Sequence, residues 1–193
     1  MTSFKINRLF RPGPKADLNA CVGDNGGPYD FFDYALGYFK SASAIGRAAE
    51  RMELPVDIAV YPMVYNYRHG IELCLKHLAR LLPPLFGDQA IALATHKLLD
   101  NWQLVKPYIA RRQGFEPSTT IPLIEQVIED VLAFDPNGEI FRFPEDRKGE
   151  PHLQDAKIIN LDVLRESVED TSELFSYWIY TADGYREAAL ESR

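Results

Sequence analysis

The sequence predicts an all-α fold, a bundle of four to five long helices with one small β-hairpin inserted near 139–153. Three observations point there. Apolar residues recur at three- and four-residue steps through most of the chain. Proline and glycine clusters separate those stretches. One aromatic-rich run, near residue 140, has strand character. A length of 193 residues fits one domain, or one domain with a tail. An aromatic content of 12% excludes a wholly disordered chain, because such residues demand a core.

The elements follow in order. Residues 1–28 are predicted to form an extended arm, with Pro12, Pro14, Gly23, Gly26, Gly27 and Pro28 and no helical period. Its apolar Phe4, Ile6, Leu9 and Phe10 predict that it lies on the body or on a partner. Residues 29–193 form the helical domain, which starts with a helix over about 29–52. Ala42, Ser43, Gly46 and Ala49 on its face would let another helix approach closely. A connection with Pro55 leads to a second helix from Tyr61-Pro62, which Pro83-Pro84 ends. A third spans about 88–112 and includes Leu93 and Ala94 on its apolar face, and Pro107 predicts a kink or break in it. A fourth spans about 120–134, capped by Ser118, Thr119 or Thr120. Glu139 to Pro144, a charged turn and Glu150 to Leu153 read as the hairpin. The last helix begins near Asn160 or Asp162 and reaches about Ala189.

A net charge of −7 argues against a uniformly basic nucleic-acid surface. The arm is nonetheless basic, with Lys5, Arg8, Arg11 and Lys15 against Asp17 and Asp24. RNA, if bound, would therefore meet a local basic patch with strong salt dependence. No apolar run is long enough to span a membrane, and the first residues lack a signal-peptide core. Cys21 and Cys74 make no disulfide framework. Together these predict a cytoplasmic protein with no membrane partner.

The segment richest in chemistry is Tyr65 to His77. Arg68, Glu72 and Lys76 follow at i, i+4 and i+8, about 40° apart per step, on one stripe of the second helix. Two readings are open. The stripe is an ion ladder that fixes helix packing, or Arg68 holds an anion while His69 or Glu72 moves a proton. His69, His77, His96 and His152 lack metal-ligand spacing, so neither a metal site nor a cofactor is predicted. Gly23 to Pro28 is no phosphate loop, because no Gly-Lys-Ser/Thr follows. Arg142 in the hairpin either pairs with an acid on the bundle, or the hairpin is a flap over the Arg68–Glu72 stripe that brings Arg142 or His152 into one cluster.

Three pieces in order resemble a group of bacterial HEPN-like helical proteins. They are Tyr67-Arg-His-Gly-Ile-Glu-Leu-Cys-Leu-Lys76, Thr95-His-Lys-Leu-Leu-Asp-Asn-Trp102 and Phe141-Arg-Phe-Pro-Glu-Asp-Arg-Lys-Gly-Glu-Pro151. The resemblance covers about 60–155. It implies a helical bundle that forms a homodimer. It also implies a metal-independent ribonuclease or nucleotide-handling component of a toxin–antitoxin or phage-defence system. In such enzymes an arginine holds the scissile phosphate and a histidine is the general acid or base. Carried onto this chain, Arg68, His69 and Glu72 are the catalytic candidates. Lys76, His96, Arg142, Arg147 and His152 are the substrate-binding candidates. Other members are non-catalytic scaffolds, which implies the alternative of a binding module whose arm, 1–28, meets a partner protein. The family's helical Arg-x4–6-His motif is absent. Arg68 and His77 have eight residues between them, and Arg147 to His152 falls in a predicted turn.

Overall fold

The computed structural model describes residues 8–23, 25–92, 95–155 and 158–191. Phe4, Lys5, Ile6 and Asp24 of the arm, with Leu93 and Ala94 of the predicted third helix, lie outside the described residues. Among the described residues five α-helices form a bundle: α1 (Phe31–Glu50), α2 (Val56–Leu81), α3 (Leu98–Ala110), α4 (Pro117–Phe134) and α5 (Leu161–Glu191). No described helix is long and apolar enough to cross a membrane. Residues 8–23 are exposed and hold one short 3-10 turn, Ala16–Leu18.

Local chemistry starts the helices. The Asp30 carboxylate accepts from the Phe32 and Asp33 backbone N–H groups, and Asp33 accepts from the Asp30 N–H, which closes a capping box. At α5 the Asn160 side chain accepts from the Asp162 and Val163 N–H groups. Helix α2 is the central element and packs on α1, α3 and α5. It is buried around most of its circumference, which takes part of its polar stripe out of water. The small residues of α1 permit close approach. A Cβ at Gly46 would stand 3.0 Å from Met63 Cε and 3.2 Å from Arg165 Cβ. In the core, Trp102 of α3 stacks on Trp178 of α5 with centroids 5.9 Å apart. Cys74 is fully buried, and burial pushes its thiol well above the usual value.

Several expectations need correction. The hairpin over 139–153 does not form, and a single antiparallel bridge joins Glu145 and Pro151. Pro144 and Pro151 have no N–H for a ladder. The Asp146 carboxylate instead accepts from the Lys148 and Glu150 N–H groups and closes a turn. Helix α2 begins at Val56 rather than Tyr61, so Pro62 lies inside it. The carbonyl left without a donor there belongs to exposed Ile58, where water can serve it. Residues 88–92 and 95–97 are not helical, and α3 starts only at Leu98. The Ile91 N–H ties that connection to the Ala79 carbonyl of α2. Pro107 does not break α3, which continues to Ala110. Helix α4 starts at Pro117, behind Glu116 in a left-handed conformation. The Thr119 and Thr120 hydroxyls donate back to the Glu116 carbonyl instead of capping the helix.

Candidate functional site

The stripe of α2 is drawn inward by its neighbours. Arg68 is 5% exposed and Glu72 is 2% exposed. Two connections cross over them, the segment before α3 and the turn after α4. In that turn the Asp135 carboxylate accepts from the Glu139 and Ile140 N–H groups at 2.9 and 3.1 Å. Arg68 reaches beneath it. Its Nε donates to the Asp135 carbonyl at 3.4 Å and its Nη2 to the His96 carbonyl at 3.3 Å. The guanidinium lies 3.7 Å from Glu72 Oε2 and 3.9 Å from Asp135 Oδ2. Gly138 makes the approach possible, with φ of 76° and no Cβ, which would fall 2.6 Å from Arg68 Nη1.

Glu72 is the hub. Its Oε1 accepts from Lys76 Nζ at 2.7 Å and meets His96 Nδ1 at 2.8 Å. Burial works against its charge. The hydrogen bonds from Lys76 and His96 and their positive charge outweigh that, so its pKa lies below the ordinary carboxylate value. An ionised acceptor assigns the proton to the histidine, so Nδ1–H donates to Glu72. The His96 side chain is 76% exposed, so its other nitrogen, Nε2, faces solvent, where the neutral ring can accept from a ligand and the charged ring can donate to one.

His69 lies apart from this hub. It stacks on Tyr65 at 5.9 Å between centroids and takes the edge of Tyr38 at 4.5 Å. Burial lowers its pKa, against the pull of the Glu72 carboxylate. Arg142 lies over the same Tyr65 ring, at 5.5 Å from its centroid, and over Phe143. It therefore meets His69 through an aromatic ring, and no acid pairs with it among the described residues. Arg147 is exposed and faces Glu139 at 3.6 Å. His152 lines a cavity of about 350 Å³ with Arg142, Tyr61, Phe141 and Phe143, away from the Glu72 hub, and its backbone N–H donates to the Pro144 carbonyl.

The structure thus brings Arg68, Glu72, Lys76 and His96 together, joins His69 to Arg142 through Tyr65, places Arg142 and His152 on one cavity away from that hub, and leaves Arg147 exposed beside Glu139. Sequence reasoning missed Asp135, Tyr38 and Tyr65. Asp135-Pro-Asn-Gly138 is a turn signature, but nothing in it points at α2. Among the described residues no three His, Cys, Asp or Glu side chains group as they would around a metal ion. No protein-family model, curated protein or solved structure matches this chain. A buried carboxylate that orients an exposed imidazole, with an ammonium beside it, is an arrangement suited to proton transfer next to an anion.

Proposed function

We propose that this protein is a HEPN-like, homodimeric, cytoplasmic protein that cleaves RNA, or acts on a nucleotide phosphate, in a toxin or phage-defence setting. The observation that carries the reading is the 2.8 Å contact between His96 Nδ1 and the buried Glu72 carboxylate. Glu72 fixes the tautomer, and His96 Nε2 takes the proton of a ribose 2′-OH as that oxygen attacks the adjacent phosphorus. The P–O5′ bond breaks, a 2′,3′-cyclic phosphate forms, and the leaving oxygen takes a proton from water or the imidazolium. Lys76 adds positive charge beside the phosphate. Arg68 acts as a positioning residue that holds the His96 carbonyl.

The test is cleavage of a tRNA mixture and a structured messenger in EDTA. Wild type, His96→Ala, Glu72→Gln, His69→Ala and His152→Ala run together, each checked by circular dichroism. The expected result is cleavage that folded His96→Ala loses by roughly two orders of magnitude or more and His152→Ala retains. No cleavage by a folded wild type, or full cleavage by His96→Ala, would overturn the reading.

One observation favours the alternative, a non-catalytic scaffold acting through dimerisation and a partner held by residues 1–28. Arg68 and Glu72 are buried in ion bridges, so their charges hold loops to α2 rather than face an open cleft. A stable dimer that captures a partner only with its arm intact, and cleaves nothing, is the expected result of that reading.

A further inference from the structure

A second concavity lies at the C-terminal end of α2, just beyond the Glu72 hub. It has a volume of about 700 Å³, within the range of small-molecule sites. Its walls come from the start of α1, the end of α2 and the turn after it, the end of α5, and Arg112 beyond α3. The sequence reading assigned this place nothing.

Its charge runs against that of the chain, which is −7 overall. Three arginines, Arg80, Arg112 and Arg186, line it against one carboxylate, Asp30. Asp30 is engaged by the first-turn N–H groups of α1 and by His77 Nδ1 at 3.5 Å. Arg186 pairs with Asp183 at 2.9 Å. Arg80 and Arg112 meet no carboxylate among the described residues. Each is held by a ring instead, Arg80 over Phe31 at 4.3 Å and Arg112 over Tyr185 at 4.3 Å. Stacking orients a guanidinium and leaves its in-plane N–H donors for an acceptor. Burial holds the His77 pKa down, so at neutral pH the ring leaves the arginines as the cationic groups of the wall. The rest of the lining is largely apolar, with Leu81, Leu85 and Leu190 on it.

We propose that this cavity binds an amphipathic organic anion. The acidic head sits between the Arg80 and Arg112 guanidinium groups, and a ring system or short acyl chain lies on the leucines. Two ring-stacked arginines without acids give the head its site. The apolar wall gives the body its site. Simple inorganic anions satisfy only the first and bind weakly.

The probe is 1-anilinonaphthalene-8-sulfonate at neutral pH with the full chain, read by fluorescence. Octanoate, octyl phosphate and inorganic phosphate serve as competitors. The expected result is saturable binding, displaced by both octyl compounds and far less by inorganic phosphate. The relative strength of octanoate and octyl phosphate tells a carboxylate ligand from a phosphate one. The double variant Arg80→Gln/Arg112→Gln should weaken binding by roughly tenfold or more with an unchanged circular dichroism spectrum. Arg51→Gln, which removes an exposed arginine outside the cavity, should bind as wild type. Equal affinity in the double variant, or no saturable binding by wild type, would overturn the proposal. RNA cleavage plays no part in these readouts, so the outcome is independent of the function proposed above.

Discussion

Arg68→Met removes a cation that touches both connections over α2. The substitution keeps an apolar stem of similar length, so the lost interactions are those of the guanidinium. These are the carbonyls of Asp135 and His96 and the carboxylates of Glu72 and Asp135. Breaking a buried ion pair by removing one partner costs about 3–5 kcal/mol. The lower end applies here. Glu72 keeps Lys76 and His96, and Asp135 keeps two backbone N–H donors. In a domain of this size 1 kcal/mol moves Tm by about 2–4 °C, so a loss of about 3 kcal/mol lowers it by roughly 6–12 °C. Thermal unfolding followed by circular dichroism reads the total. Hydrogen exchange reads its place, because protection should fall first around 95–97 and 135–140 while α1 and α5 keep theirs. A loss below about 1 kcal/mol with unchanged exchange would refute the argument. It would mean that the cost of burying Arg68 cancels everything it holds.

Three further expectations follow from the same geometry. Burial keeps His69 and His77 below the ordinary value of 6.5, so the unfolded chain binds protons there before the native one. Stability is therefore full above that value and declines as pH falls through it, with a second decline below 4.5 as Glu72 protonates. Urea titrations at about pH 7.5, 6 and 4 read both steps, and a flat profile between the first two contradicts the histidine assignment. Gly138→Ala places a Cβ 2.6 Å from Arg68 Nη1 at φ of 76°, so a loss of about 2 kcal/mol or more in denaturant unfolding is expected. Gly70→Ala gains helix propensity of about 1 kcal/mol but sets a Cβ 2.8 Å from the buried Phe39 ring. Overpacking wins, for a net loss of about 1–2 kcal/mol by the same assay.

The helices were legible because each has a local cause. Asp30 and Asn160 cap the two best-placed starts, and the apolar period of α2 marks the face that others cover. The failures share a cause too. Proline reads as punctuation, yet Pro62 lies inside α2 and Pro107 leaves α3 unbroken, both on exposed faces where a missing donor costs little. The aromatic alternation of Phe141 and Phe143 reads as a strand. Phe141 instead buries against the bundle while Phe143 stays exposed, and flanking prolines deny the segment a ladder.

The candidate site divides in the same way. The spacing of Arg68, Glu72 and Lys76 put them on one stripe, since four residues advance an α-helix by little more than a turn. The order of residues also made that stripe border an apolar face. Which groups answer it was settled only by the tertiary structure. Asp135 and His96 are tens of residues away in sequence and arrive on loops, whose paths no periodicity encodes. His69, next to Arg68 in the chain, is turned by about 100° to a different neighbourhood of tyrosines. The sequence by itself determined the helical class, the faces and the stripe, because those depend on contacts a few residues apart. Burial of Glu72, its partnership with His96 and the arginine-lined cavity depend on packing between distant elements, and only the folded chain decides them.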